Sequence, residues 1–97
     1  MSDDAPIYAC GLGAHAEGFA DVDDDGRGVA AIGIGAHAEG NNTYAGGDYS
    51  HAEGCGTEAF GVYSHAEGGY TEASGTASHA EGQYTTASGY ASHAEGI

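Results

Sequence analysis

The stretch His65-Ala66-Glu67-Gly68-Gly69-Tyr70-Thr71-Glu72-Ala73-Ser74-Gly75-Thr76-Ala77-Ser78 decides the fold, because its pattern returns at a fixed period. Histidine stands at His15, His37, His51, His65, His79 and His93, separated by one interval of 22 residues and four of 14. Each histidine opens the same four residues, His-Ala-Glu-Gly. The complete units 37–50, 51–64, 65–78 and 79–92 align as His-Ala-Glu-Gly-x-x-Thr-x-Ala-x-Gly-x-x-Ser. Thr43, Thr57, Thr71 and Thr85 form one column. Ala45, Ala59, Ala73 and Ala87 form a second, and Gly47, Gly61, Gly75 and Gly89 a third. A strict period in a sequence of low complexity marks stacked structural repeats.

Strands follow from the pattern, and helices do not. The glycine columns return every few residues, and each glycine inside a helix costs about 1 kcal/mol relative to alanine. Polarity alternates with period two, the periodicity of a strand. In Ser-His-Ala-Glu-Gly the small residues Ser, Ala and Gly share one face, and His and Glu the other. In Thr-x-Ala-x-Gly the small residues again share a face, opposite variable positions such as Tyr70, Glu72, Ser74 and Thr76. Two short strands per unit predict an all-β fold, a parallel β-roll or β-solenoid with 14-residue coils. Its coils should stack about 4.8 Å apart through parallel ladders.

The 22-residue interval is one unit carrying eight extra residues. Phe19 and Ala20 match Asn41 and Asn42, and Val29 matches Thr43. The insert is therefore Asp21-Val22-Asp23-Asp24-Asp25-Gly26-Arg27-Gly28. Upstream, Ile7 to Ala14 matches the second half of a unit. Residues 1–6 are then a short lead-in, and 7–97 a single roll domain with an acidic loop insert at 21–28.

Composition bounds how such a roll can be stable. The chain has 97 residues, 19 of them Gly, no Trp, two Phe, and one Leu at Leu12. Ordering each residue costs roughly 1–2 kcal/mol of chain entropy, and a coil filled with methyls and hydroxyls offers little apolar area against that cost. Assembly should supply the missing burial.

Charge narrows the partners. Fifteen acids face a single base, Arg27, for a net charge of −14. Nucleic acid and anionic membrane both demand Lys and Arg, so neither is expected as a partner. An acidic surface suits a secreted or virion protein, a halophilic one, or one neutralised by bound cations. No run of 18 apolar residues exists to span a bilayer, and Met1 to Pro6 lacks the basic and apolar regions of a signal peptide. The expected location is extracellular, on a virion or a cell surface. Cys10 and Cys55 fall at different positions of the repeat and read as free thiols.

The stretch Val29-Ala30-Ala31-Ile32-Gly33-Ile34-Gly35-Ala36-His37-Ala38-Glu39-Gly40 resembles the Val-Ala-Ile-Gly-x-Gly-Ala-x-Ala-x-Gly repeat of trimeric autotransporter adhesin heads. The resemblance runs from about Ile7 to Ile97. Similar Ser-His-Ala-Glu-Gly arrays also look like segments of phage tail fibres. The likeness implies a left-handed roll, a homotrimer with three rolls around one axis, and a structural or adhesive role. One departure matters: where the family has Ser-Val-Ala-Ile-Gly, this chain has Ser-His-Ala-Glu-Gly. Polar rings would then replace apolar packing along the trimer axis.

The candidate site residues are therefore His15, His37, His51, His65, His79 and His93 with Glu17, Glu39, Glu53, Glu67, Glu81 and Glu95. Three arrangements are open. A histidine and glutamate network would satisfy buried charge without metal, since the two types occur one to one. Rings of three imidazoles and three carboxylates would instead form a nitrogen and oxygen donor set for Fe, Ni, Zn or Mn. Ladders facing solvent would stack six glutamates against one another, which is unfavourable. Some phage fibre tips hold metal with His-x-His pairs around a trimer axis, and His-x-Glu matches that pattern in part.

A second cation candidate is the insert. Asp21, Asp23 and Asp25, followed by Gly26, have the alternate-carboxylate spacing of calcium loops. Ile32 rather than Glu stands at the twelfth position, so this is no complete EF-hand; a plain acidic surface loop is the other reading. Tyr49 and Tyr63 occupy equivalent positions, as do Tyr70 and Tyr84, and each pair should stack on an outer face. Such columns serve either as packing against a neighbouring chain or as a ladder for a glycan or surface receptor. Identical copies of one motif do not make the single special site an enzyme needs, and no catalytic activity is expected. Ice binding would need an exposed threonine row, whereas the alternation turns the threonines inward.

Overall fold

The computed structural model describes residues 7–19 and 28–97. The strands alternate between two parallel sheets, one strand of each sheet per coil. One sheet holds β1 (Ile7–Ala9), β3 (Val29–Ala31), β5 (Tyr44–Ala45), β7 (Glu58–Ala59), β9 (Glu72–Ala73) and β11 (Thr86–Ala87), paired in that order. The other holds β2 (His15–Phe19), β4 (His37–Asn41), β6 (His51–Cys55), β8 (His65–Gly69), β10 (His79–Ala80) and β12 (His93–Ala94), likewise in order. The result is an all-β parallel solenoid of about five 14-residue coils, with no helix among the described residues. Among the described residues, no helix is long and apolar enough to cross a membrane.

The register is that of the sequence repeat. His51 pairs with His65, Ala52 with Ala66, Glu53 with Glu67, and Gly54 with Gly68. The register also passes across the eight-residue insert without slipping. Before it, Phe19 pairs with Asn41; after it, Ala30 pairs with Tyr44, which places Val29 beside Thr43. The ladders before and after residues 20–27 thus keep the register of the repeat.

The space between the sheets holds Ala, Thr, Ser, Gly and Val29. Ala38, Ala52, Ala66 and Ala80 from one sheet meet Ala31, Ala45, Ala59 and Ala73 from the other, all fully buried. Thr43, Thr57 and Thr71 line the same interior, so no threonine row faces out in these coils. Buried hydroxyls need partners. Ser50, Ser64 and Ser78 donate to the carbonyls of Gly47, Gly61 and Gly75 at 2.6 to 2.7 Å. Thr71 and Thr85 donate to the carbonyls of Glu67 and Glu81 at 3.1 and 3.0 Å. These five side chains fill the coil and tie its corners, whereas the buried hydroxyls of Thr43 and Thr57 have no partner.

Glycine at the inner corner is a steric requirement. A Cβ on Gly61 would fall onto the carbonyl oxygen of Gly75 in the next coil, and the same collision recurs at Gly33, Gly47 and Gly75. The glycine of His-Ala-Glu-Gly departs from simple alternation. Gly54 and Gly68 are exposed rather than sharing the inward face of Ser and Ala. Their φ values of +110° and +106° break the pleat and turn the chain toward the next corner.

Candidate functional site

His-Ala-Glu occupies the first three positions of the even-numbered strands, where the period of two drives Ala inward and leaves His and Glu on the outer face. There the parallel register stacks like on like. His15, His37, His51, His65, His79 and His93 form one column, and Glu17, Glu39, Glu53, Glu67, Glu81 and Glu95 run beside it. Consecutive imidazoles from His37 to His79 lie 4.7 Å apart with planes within 11° of parallel. At the ends, His15 tilts by 34° and His93 by 45° from its neighbour.

Within each coil Nε2 of His meets Oε1 of the Glu two residues on. The separation is 2.6 Å for His37 and Glu39, 2.8 Å for His51 and Glu53, 2.9 Å for His65 and Glu67, and 3.0 Å for His79 and Glu81. His15 meets Glu17, and His93 meets Glu95, in the same way. The character of the contact changes along the ladder. In the His15, His37 and His93 coils it is a hydrogen bond. In the three coils between, Nε2 of His51, His65 and His79 is buried with no hydrogen-bond partner, so its approach to the carboxylate is close but misaligned. Distance alone would describe all six as ion pairs; alignment separates the three central ones, and the alignment carries the chemistry.

Burial acts on the imidazoles. The side chains of His65 and Glu67 are 35% and 37% exposed, against 54% and 62% for His15 and Glu17. Desolvation is the largest influence on His65 and lowers its pKa; the neighbouring His51 and His79 act in the same direction, while Glu67 and Glu53 oppose them. The imidazole in the middle of the stack is thereby held toward its neutral form, which is the form that ligates metal.

These side chains gather into donor groups. His37, Glu39 and His51, then His51, Glu53 and His65, then His65, Glu67 and His79, each bring one nitrogen or oxygen to within 4.8 Å of the others. Glu81, His93 and Glu95 form a fourth group at the more exposed end. The structure thus gathers His37 through His93 with Glu39, Glu53, Glu67, Glu81 and Glu95 into sites able to hold a metal ion, while His15 and Glu17 pair with each other outside these groups. The calcium candidate, Asp21, Asp23 and Asp25, lies outside the described residues.

The tyrosine columns exist as the repeat implies. Tyr49 and Tyr63 stack with centroids 5.6 Å apart, and Tyr70 and Tyr84 at 5.3 Å. Their side chains gave no sign of their backbone. All four have φ between 56° and 62°, a left-handed conformation uncommon for a bulky residue. Gly35 fills the equivalent place before Tyr49, and Gly56 the place before Tyr70, each with positive φ. That glycine is the residue such a corner ordinarily requires, and its presence in the same columns was the available signal. Cys10 and Cys55 are free, as their different repeat positions imply.

No protein-family model matches the chain, and no curated protein or solved structure is similar to it by these comparisons. The fold and the ladder therefore define the class on their own: a parallel β-solenoid bearing a repeated His/Glu face.

Proposed function

We propose that this chain is a structural or adhesive segment of a trimeric fibre, a tail fibre on a virion or an adhesin head on a cell surface. In this reading three left-handed rolls lie side by side, their His/Glu faces turned to a shared axis. The segment is non-catalytic, and its partners are two further copies of itself.

The single observation that carries the reading is the unbroken His/Glu ladder on one sheet of a solenoid whose interior is almost entirely Ala, Ser, Thr and Gly. A column of carboxylates at the strand repeat of about 4.8 Å is self-repelling when it faces water. Turned toward two other copies, each carboxylate finds imidazoles to pair with, and the network repeats at every level. The same contact covers surface that the thin interior cannot, which is how a small core gains stability by assembly. The tyrosine columns would then flank the chain-to-chain contact or offer aromatic edges to a surface receptor or glycan. The acidic insert, with Asp21, Asp23 and Asp25, would bind calcium.

The test is the native mass of the full chain, measured by mass spectrometry under non-denaturing conditions. Three times the 9.6 kDa chain mass is expected. A monomer at micromolar concentration would overturn the proposal.

A second reading, a module whose purpose is to hold metal, is favoured by one specific observation: the unpartnered Nε2 atoms of His51, His65 and His79.

A further inference from the structure

We infer that the three central levels of the ladder, His51 with Glu53, His65 with Glu67 and His79 with Glu81, are partial sites for a divalent transition-metal ion, each completed by two further copies of this chain. The inference rests on the trimeric reading above and gives the shared axis a ligand.

The first argument is the shape of each pair. A divalent ion bound at about 2.1 Å by imidazole nitrogen and carboxylate oxygen holds adjacent octahedral ligands about 3.0 Å apart. The Nε2 to Oε1 separations at these levels are 2.8, 2.9 and 3.0 Å. A hydrogen bond could produce the same distances, yet none is formed there. A nitrogen and an oxygen held at this spacing without an aligned hydrogen bond stand where two adjacent ligands of one cation would stand. At His37 and His93 the hydrogen bond is made, at 2.6 and 2.9 Å, so it is the missing alignment and not the distance that sets the central levels apart.

The second argument is that one chain cannot finish the site. One chain brings at most three donors together at a level, such as His51, Glu53 and His65 within 4.8 Å of one another. An octahedral ion takes six, so the remaining positions must be filled from elsewhere. Each chain offers one nitrogen and one oxygen per level. Around a three-fold axis, three such pairs make six donors, three nitrogen and three oxygen, which is a full octahedral set.

The third argument is chemical class. Imidazole selects Ni²⁺, Zn²⁺, Fe²⁺ or Co²⁺ over the hard cations Ca²⁺ and Mg²⁺, which prefer oxygen alone. With neutral imidazoles, three carboxylates and one divalent ion leave each level one net negative charge instead of three, relieving repulsion in a chain of net charge −14.

The experiment uses the full chain, stripped with a chelator, then exposed to Ni²⁺ or Ca²⁺ and desalted. Native mass and metal content are read together. The expected result is a trimer that retains one to three Ni²⁺ per three chains and no Ca²⁺ above the loop's own. In the triple variant His51→Gln, His65→Gln, His79→Gln, Ni²⁺ retention should fall by more than the roughly tenfold that loss of a single supporting hydrogen bond costs a metal site. Co²⁺ loaded into the unmodified chain gives an independent readout: the weak visible absorption of a six-coordinate ion is expected, and the intense bands of a tetrahedral one would overturn the octahedral set. A trimer that retains no Ni²⁺ overturns the metal sites and leaves the fibre reading standing. A monomer overturns the fibre reading, and a monomer that still binds Ni²⁺ at one equivalent shows a site completed within one chain, against this proposal.

Discussion

The imidazole of His65 lies parallel to that of His51, 4.7 Å away and within 3°, while its Nε2 rests 2.9 Å from Oε1 of Glu67 without an aligned hydrogen bond. His65 is thus held by the ladder rather than by its own carboxylate. Removing one member of the pair should differ sharply from replacing both.

His65→Ala leaves the Glu67 carboxylate beside two other glutamates of the same column. Thermal unfolding should show a loss on the order of 1 kcal/mol, modest because the pair is partly exposed. Replacing His65 by Val and Glu67 by Ile together should be neutral or stabilising, since exchanging both members of a charged pair for apolar groups removes the desolvation cost. A harmless single change with a ruinous double change would refute the shared-axis arrangement.

Gly61→Ala places a Cβ on the Gly75 carbonyl oxygen. Nothing flexible can yield there, so a loss of about 3 kcal/mol or failure to fold is expected. Gly69→Ala is the control. Its Cβ would meet only Cγ of Gln83, at 3.8 Å, and Cys55 and Gln83 already occupy that column. The control should change the unfolding midpoint by less than about 0.5 kcal/mol in equivalent stability.

Ala77 holds a φ of 60°, in the column where Gly35 stands. An alanine in the left-handed region costs roughly 1–2 kcal/mol, part of which glycine returns as extra freedom of the unfolded chain. Ala77→Gly should therefore stabilise by up to about 1 kcal/mol in denaturant titration. A clear loss would mean that the Ala77 methyl makes a contact worth more than the strain.

Acid should weaken the metal-free protein through His65. Its pKa is lowered in the folded chain from the ordinary imidazole value of 6.5, so below that pH the unfolded chain takes up a proton that the folded chain resists. Stability contributed by the neutral imidazole is complete above about 6.5 and declines as pH falls from there toward the lowered folded value. Unfolding midpoints from pH 8 down to pH 5 should fall in the wild type and fall less in His65→Gln. A midpoint that rises on acidification would show that Glu67 and Glu53 outweigh burial and the neighbouring His51 and His79.

Much of this architecture could be read from the sequence because the repeat is local and strict. A period of 14 with alternation of two leaves few solutions, and the parallel register of His51 with His65 is the repeat itself. The register on either side of residues 20–27 was legible for the same reason: Phe19 pairs with Asn41, and Ala30 with Tyr44. The outward turn of Gly68 was not, because alternation assumes an unbroken pleat and Gly68 leaves it. Nor was the left-handed backbone at Tyr49, Tyr63, Tyr70 and Tyr84, since side-chain identity speaks weakly for φ at a corner set by the turns around it.

By itself the sequence determined the strands, their pairing, the small-residue interior and the side of the sheet that carries His and Glu, since each follows from periodicity and steric size. Only the tertiary structure decided how His and Glu meet. Alignment depends on rotamers and on the few tenths of an ångström by which one coil sits on the next. Identical motifs therefore make a hydrogen bond at His37 and an unsatisfied pair at His65. A repeat in the sequence cannot express that difference, because the residues are the same and only their position within the stack distinguishes them.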